Sequence, residues 1–372
     1  MLPAGTTVDL FCRVIDNYGD IGVCWRLARQ LVAEHGCAVR LIVDDLHAFH
    51  YIAPAIDAEA TTAQTLLSVG VVPWQHAEAL APAEVVIEAF ACDPPARYVE
   101  SMAAEQTKPV WLNLEYLSAE TWVDDIHGRP SPHPRLPLVK YFFCPGFTER
   151  SGGLIREAQL LHAAARQPES QSGTLATESK PSAPTIPEPG FESPSLRLFA
   201  FAYPNAPLRA VADALAYAGH AVEVGAAAPF TDTDSAWPRL PPVPQPDFDA
   251  LLARFDVLIV RGEDSFVRAQ WAAKPLLWHI YPTDDAAHVA KLDAWLDHYC
   301  HGLPIDVSTA YRAACHAFVH GERHFAAYNG FVQQLPALAS HALRWRDNLL
   351  RQTDLATRLV RFAALVKTQK VG

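Results

Sequence analysis

Two short loops concentrate the residues of this chain that could do chemistry. The first is Asp16-Asn17-Tyr18-Gly19-Asp20-Ile21-Gly22. It places two carboxylates and two glycines together, and a carboxylate there can take a proton or grip a cation. Gly19 and Gly22 let the backbone come close to a ligand, with Asn17 and Tyr18 beside them as substrate contacts. The spacing does not match G-x-G-x-x-G, so a dinucleotide fingerprint is absent. An alternative stays open: Asp20 caps the following helix and Asp16 shapes the turn.

The second loop is Arg261-Gly262-Glu263-Asp264-Ser265. Asp264 or Ser265 can cap the helix that follows. The start of that helix offers free N–H groups and a positive dipole end, a seat for phosphate to which Arg261 adds charge. Glu263 can accept hydrogen bonds from ribose hydroxyls or from a cationic substrate.

Both loops must be held at the carboxyl ends of strands, and the sequence supplies the strands. Residues 8–14, 38–43, 85–89, 110–114 and 141–144 read as strands, with a helical pattern through Trp25, Leu27, Ala28, Leu31 and Val32 after the first loop. From Leu196 a second series starts: strands at 198–201, 221–224, 256–260 and 275–280, and helices at 208–217 and 266–273. From about Asp284 the pattern is mainly helical. Strands alternating with helices predict an α/β fold with mostly parallel sheets covered on both faces. We divide the chain into a Rossmann-like domain over 1–166, a Ser/Pro-rich flexible linker or insertion over 167–195, and a second Rossmann-like domain over 196–344. A C-terminal helix over 345–372 is expected to return to the first domain. Ligands of open α/β sheets bind outside the carboxyl ends of the strands, where both loops fall.

Composition excludes several function classes. Of 372 residues, 50% are hydrophobic and 19% charged, which fits globular domains rather than a disordered chain. A net charge of −11 argues against nucleic-acid binding and is compatible with a cationic acceptor. No apolar run is long enough for a membrane span, and residues 1–8 do not read as a secretory signal. The seven cysteines are scattered without a C-x-x-C pair, so disulfides are not expected and a cytoplasmic setting is. His316, His320 and His324 lie four apart, as on one helix face, but lack established ligand partners beyond Cys300 and Cys315; no metal site is expected. Trp271, Trp278 and Trp295 read as core or cleft wall.

The stretches Phe11–Val23 and Trp25–Leu31 closely resemble the start of the bacterial elongation factor P arginine rhamnosyltransferases. Trp111–Ser118, Lys140–Phe147, Val260–Trp271 and Trp278–Pro282 resemble the same family. The resemblance implies a GT-B fold, two Rossmann-like domains facing a central cleft. It implies dTDP-β-L-rhamnose as donor and an arginine of elongation factor P as acceptor, a modification that relieves ribosome stalling at polyproline. Inversion at the sugar carbon is implied too, with no metal and no other cofactor. By position, Asp20 matches the family's general base and Asp16 its companion. Glu263, Asp264 and Ser265 match residues near the donor diphosphate and ribose, Tyr203 a diphosphate contact and Gln245 the reader of thymine. The family usually has Phe just before this glutamine, in a Pro-Phe pair; here the run is Leu240-Pro241-Pro242-Val243-Pro244-Gln245, and Pro242 replaces the expected ring under the base. Two other readings remain: a nucleotide-binding module without catalysis, and a GT-B transferase with another acceptor.

Overall fold

The computed structural model describes residues 1–15, 18–160, 195–204, 206–227, 237, 239–241, 243–283 and 286–371. Asp16, Asn17 and Pro242, all singled out above, lie outside the described residues, as does nearly all of the 167–195 segment.

Strand β1 (Thr7–Cys12) is buried on both faces after its first residue, which is why it reads as a continuous apolar run. Parallel pairing to β2 (Ala38–Val43) on one side and β5 (Val85–Ala89) on the other makes it the centre of an eight-stranded sheet. The remaining strands are β3 (Gln64–Leu66), β4 (Val69–Pro73), β6 (Val110–Leu114), β7 (Pro130–Pro132) and β8 (Val139–Phe143), in the order β3-β4-β2-β1-β5-β6-β8-β7. The helix Gly19–His35 follows β1 and stops at Gly36, whose left-handed φ of 64° lets its N–H reach the carbonyls of Leu31 and Val32.

The second sheet is wholly parallel, in the order β11-β10-β9-β12-β13: β9 (Ser195–Ala200), β10 (Ala221–Ala227), β11 (Arg239–Leu240), β12 (Val257–Arg261) and β13 (Leu276–His279). In each sheet the strand order reverses beside one strand pair, β1/β5 in the first and β9/β12 in the second. The crevice above such a switch point is where open sheets bind ligands. The first candidate loop follows β1 and the second follows β12.

The helix Leu335–Leu350 runs unbroken past 345 and stays with the second domain, where Leu349 is buried and Trp345 Nε1 donates to Gln270 Oε1 at 2.7 Å. The return to the first domain occurs in the next helix, Leu355–Val371. Its Leu355, Leu359, Val360, Ala363 and Val366 join the core built from the Gly19–His35 helix and the first sheet. Conversely Leu117, Phe147 and Leu154 pack into the second core. The two domains are thus tied by exchanged apolar side chains. Strands β3, β4 and β7 were not legible as strands. His324 starts a new helix, Phe325–Gln333, so the three spaced histidines do not share one helix face; His316 instead pairs with Asp293 at 2.8 Å. Trp271, Trp278 and Trp295 are core residues, with Phe266 stacked 3.6 Å from Trp278. All seven cysteines are free and buried. Among the described residues no helix is long and apolar enough to cross a membrane.

Candidate active site

The two switch points open into one cleft. The first domain contributes Tyr18, Gly19, Gly22 and Tyr51; the second contributes Phe201, Val243, Gln245, Phe248 and the run Arg261–Ser265. Residues 223 positions apart in the chain are therefore neighbours, for Gln245 Nε2 donates to the Gly22 carbonyl at 2.8 Å.

On the second-domain side, Arg261 ends β12 and is 6% exposed. Its guanidinium carbon lies 4.3 Å from the Phe201 ring centre and 4.9 Å from that of Tyr203, the residues just after β9. Among the described residues no carboxylate lies within ion-pair distance of it. Gly262 turns the chain out of the strand with a φ of 58°, a conformation other residues adopt only with strain. Tyr203 donates its backbone N–H to His279 Nδ1 at 3.2 Å. Burial, and then the nearby Arg261, lowers the His279 pKa to about 4, so that ring is neutral.

Neither helix start is capped as the sequence suggested. The N-cap residues are Tyr18 and Glu263, without side-chain cap bonds. Ser265 Oγ donates to the Arg261 carbonyl at 2.5 Å and accepts from the Arg261 N–H at 3.1 Å, closing the strand-to-helix turn on itself. Asp264 is drawn away by arginines. Arg26 Nη1 donates to its Oδ1 at 2.8 Å and Arg268 Nε to its Oδ2 at 3.2 Å. Burial works against its charge, but Arg268 and Arg26 hold the Asp264 carboxyl below its ordinary range. Arg26 belongs to the first-domain helix, has no exposed surface, and forms a two-pronged bridge to Glu157 at 2.8 and 2.6 Å.

Glu263 faces the first domain and accepts the Leu117 N–H at 2.9 Å. Burial is the main cause that pushes its pKa up to about 7; the Leu117 N–H and Lys291 pull it down, while Asp20 and Asp264 raise it. A carboxyl poised near neutrality in a cleft is a candidate for proton or cation chemistry. Asp20 is 2% exposed, and its Oδ2 accepts the Ile15 N–H at 2.8 Å, bracing the loop that precedes its helix. Tyr18 stacks on Tyr51 at 4.1 Å beside it.

Tyr18, Gly19, Gln245, Arg261, Gly262, Glu263, Asp264 and Ser265 thus share the cleft wall, whereas Asp20 and Tyr203 do not line it. Sequence reasoning missed Arg26, Phe201, Phe248 and Tyr51. Phe201 carried a usable signal, lying two residues before Tyr203 at a strand end. Arg26 carried none of its own. Among the described residues no group of three or more His, Cys, Asp or Glu is placed to hold a metal.

A family model for the elongation factor P (EF-P) rhamnosyltransferase EarP matches residues 8–364. A protein-arginine rhamnosyltransferase of Pseudomonas putida is 46% identical over 378 residues, 96% of this chain and 98% of the relative. A solved structure concerning EarP-mediated arginine glycosylation of translation elongation factor EF-P is 32% identical, with a TM-score of 0.59, covering 96% of this chain and 99% of that one. The calicheamicin glycosyltransferase CalG4 shares 14% identity and a TM-score of 0.51 over 100% of both chains, a likeness of fold alone. The two-domain arrangement is that of the GT-B glycosyltransferases.

Proposed function

This chain belongs to the elongation factor P rhamnosyltransferase family, and from that premise we propose that it moves L-rhamnose from dTDP-β-L-rhamnose to an arginine side chain of elongation factor P. The transfer is proposed to invert the sugar carbon, to use no metal or other cofactor, and to take place in the cytoplasm. The observation that supports it most is the buried Arg261, stacked on two rings at the end of β12 just before a helix start and without a carboxylate partner among the described residues. That is the charge a nucleotide diphosphate requires, and the diphosphate is also the leaving group.

In this reading the diphosphate lies against Arg261, Gly262, Ser265 and Tyr203, with the ribose near Asp264. The thymine meets Gln245, and Phe201 and Phe248, which line the cleft, offer rings for stacking in place of Pro242. The acceptor guanidinium enters from the first-domain side, framed by Asn17, Tyr18 and Gly19. A guanidinium is a poor nucleophile, charged and delocalised, with a pKa above ~12. Asp20 and Asp16 orient it, and Asp20 takes the proton as the nitrogen–carbon bond forms and the carbon–oxygen bond to the diphosphate breaks. Glu263 holds the guanidinium from the opposite wall. Positioning contributes as much here as basicity.

The test is the intact mass of elongation factor P after incubation with this protein and dTDP-β-L-rhamnose. A gain of one deoxyhexose, mapped to arginine, is the expected result. Release of dTDP without a mass gain on that acceptor would point to another acceptor, and no turnover with tight dTDP binding would point to a binding module.

A further inference from the structure

We infer that Arg26, on the first-domain helix, is a positioning residue for base recognition: it fixes Asp264, and Asp264 together with the Gly22 carbonyl fixes the Gln245 amide so that it offers the nucleobase an acceptor rather than a donor. The inference rests on the reading that the cleft takes a dTDP-sugar.

Gln245 is 5% exposed and its Nε2 carries two hydrogens. One goes to the Gly22 carbonyl at 2.8 Å and the other to Asp264 Oδ2 at 3.1 Å. Reversing the amide would set its oxygen against a carbonyl and a carboxylate, neither of which can donate while Asp264 is ionised. Arg26 and Arg268 keep it ionised. The amide oxygen is therefore the group left over, and it is buried with no hydrogen-bond partner. A buried acceptor without a donor is costly, and a ligand that supplies an N–H removes that cost. Thymine and uracil carry a ring N–H at the position where cytosine has a bare nitrogen.

Arg26 holds Asp264 more directly than Arg268 does. Arg268 commits Nη1 to Asp249 at 2.6 Å and reaches Asp264 only through Nε at 3.2 Å. Arg26 reaches it at 2.8 Å, and its bridge to Glu157 aims the guanidinium. Gly22 is part of the same device. A Cβ there would lie 3.3 Å from Asp264 Oδ2 and 3.3 Å from Gln245 Nε2, two atoms pinned by their partners. The first domain thus helps to set the base preference of a nucleotide site built on the second.

The experiment compares dTDP and dCDP binding by calorimetry, since the two ligands share the diphosphate and differ at the base. The wild-type protein should prefer dTDP by roughly tenfold or more, the worth of one hydrogen bond to an otherwise unpaired buried group. Arg26→Met, which fills the space without the charge, should bring the two affinities to within about threefold, because Asp264 is then drawn toward Arg268 alone and no longer holds the Gln245 amide in one orientation. Gly22→Ala gains helix propensity but crowds two pinned atoms, so the two effects offset in the melting temperature, and it should cut the preference about threefold or more. Folded Arg26→Met and Gly22→Ala proteins that keep the wild-type preference would overturn the inference. Should Arg26→Met not fold, Arg26→Lys, which keeps a charge but loses the planar fork shared between Glu157 and Asp264, takes its place, and the preference should again fall about threefold or more. Failure of the wild-type protein to bind dTDP would sink the donor reading itself, and the inference with it.

Discussion

Replacing Glu263 with glutamine separates what this carboxyl costs the fold from what it gives the reaction. Glutamine keeps an oxygen for the Leu117 N–H, now accepted at 2.9 Å, and removes only the ability to ionise. In the wild-type protein burial, reinforced by Asp20 and Asp264, moves the group from its ordinary 4.5 to about 7. In the unfolded chain it ionises at the ordinary value. Between about 4.5 and 7 the folded state therefore holds more proton than the unfolded state, and stability falls as pH rises. Below that window the group is neutral in both states, and above it the whole penalty is present. At about 1.4 kcal/mol per pH unit the ceiling is about 3 kcal/mol, and water at the cleft mouth brings the expectation to about 1–2 kcal/mol. Denaturant melts of both proteins at several pH values measure this. The glutamine variant should gain on the wild type through the window and keep a constant lead above it. Its transfer to elongation factor P should fall roughly 10- to 100-fold, the loss of one hydrogen bond between charged groups. A stability difference that does not change with pH would refute the reasoning, because it would mean that Glu263 ionises normally in the folded protein.

Asp20→Asn can still accept the Ile15 N–H, so dTDP affinity should survive while the rate of transfer, followed by mass spectrometry of the acceptor, drops by ~10²–10⁴ if Asp20 is the base; near wild-type transfer would reduce Asp20 to a brace for its loop. Arg261→Gln should weaken dTDP by about 2 kcal/mol in calorimetry and leave thymidine, which has no phosphate, unaffected. Shortening 167–195 to a brief Gly/Ser stretch should leave kcat within a few-fold, because long loops cost little to close; an inactive but dTDP-binding product would place that segment in the site.

What the sequence made legible is what local chemistry determines. Strands β2, β5 and β6 and the helix Leu208–Tyr217 were readable to the residue because apolar runs or helical periodicity ended at polar or turn-forming neighbours. Strands β3, β4 and β7 are short and lie at or next to a sheet edge, and a glycine in β4 and prolines in β7 hide them. The site shows the same division more sharply. Both loops were found, since acidic and glycine residues after a strand are a local pattern. The roles of their carboxylates were not, because those depend on partners far along the chain. Asp264 has the sequence of a helix cap, but Arg26, 238 positions away, supplies a full charge in a buried setting where an uncapped helix N–H offers only a partial one. The stronger partner takes the side chain, and the cap position is left to Glu263, which makes no cap bond because Leu117 of the other domain already occupies one of its oxygens. Asp20, Glu263 and Asp264 are thus each turned from their own helix toward another segment. The helix start is left without a side-chain cap at the place where an anionic donor would supply one, and that is why a site built from two weak local signals reads as a binding site only once both domains are in view.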